Sequence, residues 1–126
     1  MILGVGTDIV EIERIRAAIE RRGQAFFDKV LGPKERQMAV GYGTARQIEY
    51  VAGRFAAKEA LAKAIGCGLG NLAMRYVDIV LVSGQGLQVR AQAPSALAEL
   101  PASDRVHVSI SHEKSIAFAT AIWERR

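Results

Sequence analysis

The chain opens on a short apolar run punctuated by glycine. Residues 2–7 fit a buried strand whose backbone is closely approached at Gly4 and Gly6. The period then changes. Ile12, Ile15 and Ile19 fall at i, i+3 and i+7, so residues 9–22 read as an amphipathic helix with Glu11, Arg14 and Arg21 off its apolar face. Gly23 is its natural stop. Residues 26–31 fit a second short helix, and Gly32-Pro33 breaks it and starts a third through Arg36 and Met38. After a Gly41-Tyr42-Gly43 loop, Thr44 and Gln47 match a T-x-x-Q capping box, which opens a long helix to Ile65 ended by Gly66. Gly53 inside that helix costs about 1 kcal/mol relative to Ala, which points to close packing there. The glycine-rich stretch 66–70 reads as a loop.

The remainder alternates at period two. Val77, Ile79 and Leu81 oppose Asp78, Val80 and Val82. After a turn at 83–86, Leu87, Val89 and Ala91 alternate with polar residues. A short helix is expected over 94–100, between prolines. Val106, Val108 and Ile110 then alternate with His107, Ser109 and Ser111, and Ile116, Phe118, Thr120 and Ile122 continue the pattern after a turn at 112–114. Strand, helices, then antiparallel hairpins define an α+β fold: one long helix packed on a mainly antiparallel sheet. A chain of 126 residues suits a single domain, 1–126.

Composition narrows the classes. No apolar run reaches the roughly 18 residues of a membrane span. A single cysteine, Cys67, excludes an intrachain disulfide and a multi-cysteine metal site, and the absence of a signal-like start makes the cytoplasm the expected location. Lys+Arg outnumber Asp+Glu by 17 to 13, a net charge of +4, which favours acidic partners. The basic residues cluster at Arg14, Arg16, Arg21 and Arg22, then Lys29, Lys34 and Arg36, but interleaved acids also fit a solvated helix face. Few aromatics and no basic–aromatic stripe argue against nucleic-acid binding.

Three constellations carry candidate chemistry. Asp8, between strand and helix, is either the helix N-cap or a hard oxygen ligand for Mg²⁺. Phe55, Glu59 and Lys63 lie at i, i+4 and i+8 on one helix stripe, with Ala57, Leu61, Ala64 and Ile65 on another facing the core. Glu59 and Lys63 are either a surface ion pair worth about 0.2–0.5 kcal/mol or a metal ligand beside a phosphate-binding ammonium. Alanines at 56, 57, 60, 62 and 64 would let a backbone or cofactor approach that helix closely. His112, at the tip between two strands, is a phosphate donor, a general base or an exposed turn residue; His107 has no partner at zinc spacing. There is no P-loop, no third glycine after Gly4-Val5-Gly6 for a dinucleotide fingerprint, and no G-x-S-x-G elbow.

The segment from Gly4 through Asp8 to Ile15, followed by Gly53-Arg54-Phe55-Ala56-Ala57-Lys58-Glu59-Ala60 and Lys63, closely resembles the small bacterial 4′-phosphopantetheinyl transferases, the holo-[acyl-carrier-protein] synthase family. Length and the closing hairpin through Ser111-His112 extend the resemblance over nearly the whole chain. It implies transfer of 4′-phosphopantetheine from coenzyme A to a serine of apo-acyl carrier protein, release of adenosine 3′,5′-bisphosphate, a role in fatty acid biosynthesis, a requirement for Mg²⁺, and a homotrimer with sites between subunits. It further implies Asp8 and Glu59 as metal ligands, Lys63 near the transferring phosphate, and Glu59 or a metal-bound water as proton acceptor. Arg46, Arg54 and His112 would lie near the 3′-phosphate and Gln85-Gly86 near the adenine. The first helix would dock the acidic carrier protein through Arg14, with Arg21 and Phe26 as neighbours. Gly86-Leu87-Gln88 and Gly66-Cys67-Gly68 depart from the family's usual G-K-P and G-T-G.

Overall fold

The computed structural model describes all 126 residues. The chain runs β1 (Ile2–Glu11), α1 (Ile12–Arg22), α2 (Gln24–Val30), α3 (Pro33–Val40), α4 (Thr44–Ile65), α5 (Gly68–Leu72), β2 (Val77–Val82), β3 (Gly86–Ala91), β4 (Asp104–His112) and β5 (Ile116–Arg125). β5 is the centre of a three-stranded antiparallel sheet in the order β1-β5-β4, and β2 and β3 form a separate hairpin. The α+β expectation holds, with α4 lying across the inner face of the larger sheet.

Small residues set how closely α4 sits. Ala56, Ala57, Ala60 and Ala64 of the helix and Ala117, Ala119 and Ala121 of β5 are all buried. β1 comes closer still: a Cβ on Gly4 would stand 1.9 Å from the Ala64 carbonyl oxygen, and one on Gly6 would stand 2.0 Å from that of Ala60. These contacts are backbone to backbone, so only glycine fits. Gly53 is less constrained, with a Cβ meeting Ile110 Cγ2 at 3.1 Å. Alternation then forces the large side chains outward. Val5, Ile9 and Phe118 are exposed on the other face of the sheet, where Ile9 pairs with Phe118.

Some expectations are corrected. Residues 9–11 continue β1, paired to residues 116–118 of β5, so α1 starts at Ile12 and its N-cap position is Glu11. Asp8 is therefore not a helix cap; it sits within a strand opposite Ala119. The T-x-x-Q box does not form either. Gly43 is the N-cap of α4, and the Gln47 side-chain amide instead donates to the Ala39 carbonyl at 3.0 Å, tying α3 to α4. The end of the loop expected over 66–70 is instead the one-turn α5, Gly68–Leu72, and the expected helix over 94–100 is a 3-10 turn at Ala96–Glu99. The ends of α4 stand as expected, closed by Gly66 in the left-handed region at φ 70°.

A buried polar knot joins three elements behind the cleft. Lys58 Nζ donates to Glu35 Oε1 and to the carbonyls of Val30, Met74 and Val77, at 2.5–3.0 Å. Glu35 also accepts the backbone N–H groups of Gly32 and Ile79, while Asp78 Oδ1 accepts that of Glu35. With the Lys58 ammonium and both Glu35 oxygens hydrogen-bonded, the two charges are tolerated in the interior, and α3 and β2 are pinned to α4.

Candidate active site

The first cluster forms where β1 crosses the C-terminal half of α4. The Gly4 and Gly6 contacts bring the strand onto the helix backbone, and Asp8 is the next inward position. Lys63 Nζ donates to the Thr7 carbonyl at 3.0 Å and to Asp8 Oδ1 at 3.3 Å. The Asp8 side chain is 12% exposed, and its Oδ2 is buried with no hydrogen-bond partner. An orphaned carboxylate oxygen in such a position is a lone pair waiting for a ligand. Glu59, one turn before Lys63, completes the group. Burial first, and then the negative charge of Asp8, push its carboxyl above the ordinary range, against the opposing pull of Lys63 and Arg14.

This donor set fits a hard divalent cation. Mg²⁺ takes one or two carboxylates and completes its shell with water and substrate phosphate oxygens. No third His, Cys, Asp or Glu joins the pair, so a closed all-protein cage of the zinc type does not form. A cation between Asp8 and Glu59 would satisfy the orphaned oxygen and relieve the repulsion that raises Glu59.

The second cluster lines a cleft of about 880 Å³ bounded by α3, the N-terminal half of α4, the β2–β3 hairpin and the end of β4. Arg46, Arg54 and His112 all face it, as does Tyr50. Arg54 Nη2 donates to the Ile79 carbonyl at 3.0 Å, and its Nε lies 3.7 Å from Glu35 Oε2 without a hydrogen bond. His112 Nδ1 is 3.7 Å from Glu49 Oε2. The cleft thus combines the basic Arg46 and Arg54 with apolar lining from Ile79, Leu81, Leu87 and Ile110, a lining suited to a phosphorylated ligand with an apolar body.

The two clusters do not share a cavity within one chain. Asp8 lies on β1 and His112 on β4, at opposite edges of the sheet, with β5 between them. Gln85 does not face the cationic cleft; it lines a second groove between β3 and β4, and Leu87 is the β3 residue that reaches the cleft. Arg14 and Arg21 are exposed on α1. Phe26 is not: at 6% exposure it packs on Phe55, with ring centroids 6.3 Å apart, and Arg22 covers its ring at 5.6 Å. Phe26 stands four and five residues from the exposed Arg22 and Arg21, a spacing that suits a docking contact, but the core between α1, α2 and α4 takes it. Sequence reasoning missed Tyr42 and Tyr50 in the cleft, though Tyr50 falls midway between Arg46 and Arg54 at helical spacing.

The model of the 4′-phosphopantetheinyl transferase superfamily matches residues 4–121, almost the entire fold and both clusters. A holo-[acyl-carrier-protein] synthase of Geobacillus kaustophilus is 42% identical over 99% of this chain and 91% of its own length. One from Methylibium petroleiphilum is 38% identical over 98% of this chain and 97% of its own. Among solved structures, the synthase of Neisseria meningitidis superposes with a TM-score of 0.86 at 33% identity, covering 99% of this chain and 100% of that one. The synthase of Bacillus anthracis, solved in complex with CoA (3′,5′-ADP), gives 0.83 at 32% identity, covering 100% and 99%. The chain belongs to the holo-[acyl-carrier-protein] synthases of that superfamily.

Proposed function

We propose that this transferase moves 4′-phosphopantetheine from coenzyme A to a serine hydroxyl of an apo-acyl carrier protein in fatty acid biosynthesis, with Mg²⁺ held by Asp8 and Glu59. The observation that carries the residue assignment is the orphaned Asp8 Oδ2 beside Lys63 and a Glu59 whose proton affinity is raised. When bound, the cation would neutralise charge on the diphosphate. Lys63, held by the Thr7 carbonyl, directs an ammonium at the same place and offsets charge on the transferring and leaving oxygens. The serine oxygen forms the new P–O bond, and the bridging P–O bond breaks with its electron pair going to adenosine 3′,5′-bisphosphate. Glu59, in the same cluster, takes the serine proton as general base.

The cationic cleft would hold the 3′-phosphate of coenzyme A through Arg46, Arg54 and His112, with the adenosine along the apolar lining. Because the two clusters occupy opposite edges of the sheet, one diphosphate-bearing ligand would reach both across a boundary between copies. The exposed Val5, Ile9 and Phe118 face supports a homotrimer built on this sheet. Arg14 and Arg21 on α1 would steer the acidic carrier protein towards Glu59. No helix is long and apolar enough to cross a membrane, and the lone unpaired Cys67 accords with action in the cytoplasm.

The test is incubation with coenzyme A, Mg²⁺ and an apo-acyl carrier protein, read by mass spectrometry of the carrier. The expected result is a phosphopantetheine increment on its serine, lost in Asp8→Ala and Glu59→Ala. Full turnover in either variant would overturn the metal assignment, and no increment with any apo-carrier would overturn the activity.

A further inference from the structure

Arg46, Tyr50 and Arg54 recur every fourth residue on α4 and so form one row along the helix. Tyr42, just ahead of the helix, folds back onto that row. The Arg46 guanidinium lies over the Tyr42 ring at 4.5 Å, the Arg54 guanidinium over the Tyr50 ring at 4.3 Å, and the two rings meet edge to face at 5.3 Å. The result is a continuous stack, Arg46–Tyr42–Tyr50–Arg54, along one wall of the cleft.

The geometry has a chemical consequence. A guanidinium donates hydrogen bonds in its own plane, so a ring packed on its face holds it without using its donors, whereas a carboxylate partner would occupy them. Arg46 is exposed and held by a ring face. Arg54 spends Nη2 on the Ile79 carbonyl and its buried Nε stands 3.7 Å from Glu35 Oε2, while Nη1 has no hydrogen-bond partner in the chain. A long cationic side chain already held in place loses less freedom on meeting an anion than a free one. Burial pushes the Tyr50 phenol up to about 12 despite the pull of Arg54, further from ionising than an ordinary tyrosine, and the neutral ring adds no negative charge to an anion site.

We propose that Tyr42 and Tyr50 are positioning residues that hold Arg46 and Arg54 with their donor edges turned into the cleft, and so set selectivity for a nucleotide bearing a terminal phosphate monoester over the same nucleotide without it. This rests on the assignment of the cleft to the 3′-phosphate of coenzyme A. The rings discriminate without touching the phosphate, because only the phosphorylated ligand uses the arginines they orient.

The test compares KM and kcat for coenzyme A and 3′-dephospho-coenzyme A in the wild type, Tyr42→Leu, Tyr50→Leu, the two Phe variants, Arg46→Ala and Arg54→Ala. Each Leu variant should raise KM for coenzyme A about fivefold, the size of one cation–π contact, and move KM for the dephosphorylated substrate less than about twofold. Tyr42→Phe and Tyr50→Phe keep the ring and should keep the wild-type selectivity ratio. Circular dichroism checks the fold, with Tyr50→Met replacing Tyr50→Leu if that variant does not fold. Equal rises in both KM values would overturn the proposal, since they would make the rings nucleobase contacts. A ratio unchanged in the Leu variants but collapsed in the Arg variants would overturn it while leaving the phosphate assignment intact. A ratio unmoved even by the Arg variants would remove the phosphate assignment and the proposal with it.

Discussion

Lys58 and Glu59 are neighbours in sequence and opposites in environment. Lys58 Nζ meets Glu35 Oε1 at 2.5 Å with neither side chain exposed, while Glu59 faces Asp8 and Lys63 at the edge of the molecule. One hundred degrees of helix rotation separates the two roles: one residue fixes α4 against α3 and β2, and the next serves the chemistry. Removing one partner of a buried pair strands the other charge. Lys58→Met should therefore cost about 3–5 kcal/mol of stability by urea unfolding. Lys58→Met combined with Glu35→Gln should recover part of that loss, because no charge is left stranded. A loss below about 1 kcal/mol in the single variant would show that the pair does not hold these elements together.

Glu59 links the metal assignment to stability. A carboxyl raised above its ordinary value binds protons more tightly in the folded chain than in the unfolded one, so its contribution is full below the unfolded value and is lost as pH rises through the folded one. At neutral pH without metal, ionised Glu59 beside Asp8 therefore destabilises the fold. Glu59→Gln should melt higher than wild type in EDTA at pH 7.5, and the difference should fade as pH falls below about 4, where both forms are uncharged. Mg²⁺ should raise the wild-type Tm and leave that of Glu59→Gln nearly unmoved. A wild-type protein indifferent to Mg²⁺ would contradict a cation at this pair.

Much of this arrangement is legible in the chain because local rules and tertiary demands agree. The stop of α4 at Gly66, the close approach at Gly4 and Gly6, and the Glu59–Lys63 stripe each follow from spacing and glycine chemistry, whereas the capping box that marked the start of α4 does not form. Asp8 illustrates where spacing stops: a carboxylate before a helix pattern serves as a cap or a ligand, and the decision came from β5, which keeps residues 9–11 in the sheet. Glu35, Lys58 and Asp78 are charged residues that sequence patterning places on the surface, yet all three are buried. They lie up to 43 positions apart, and no local signal shows that each will find its partners. Phe118 was legible as a strand residue, but the alanines flanking it, which face α4, decide that the larger side chain turns outward.

The glycines offer a contrast between backbone and side-chain crowding. In Gly6→Ala the new methyl would collide with the Ala60 carbonyl oxygen and the Ala64 backbone nitrogen, neither of which can rotate away. The strand must lift from α4, at about 3 kcal/mol, and Asp8, two residues on, moves away from Glu59. Transfer activity should fall more steeply than stability alone explains. Gly53→Ala meets only the movable Ile110 side chain at 3.1 Å and gains helix propensity, so its melting midpoint should correspond to a change within about 1 kcal/mol. Equal losses in the two variants, by thermal unfolding, would refute the backbone-contact account.

The carrier-protein surface is best tested away from the catalytic carboxylates. Arg14 is close enough to lower the proton affinity of Glu59, so reversing its charge would disturb docking and chemistry together. Arg21 lies nearly two helical turns further along α1, is exposed, and sits in the last turn beside Arg22. Arg21→Glu should raise KM for an acidic carrier about fivefold at low ionic strength, with KM for coenzyme A and the Tm unchanged. Screening length falls from about 10 Å at 0.1 M salt to about 3 Å at 1 M, so the wild type should lose its advantage over the variant as salt rises. If the two proteins differ equally at both salt concentrations, the contact is a short-range one and the steering role of α1 is wrong. If only the coenzyme A constant moves, the basic end of α1 belongs to the nucleotide site, and the carrier docks elsewhere.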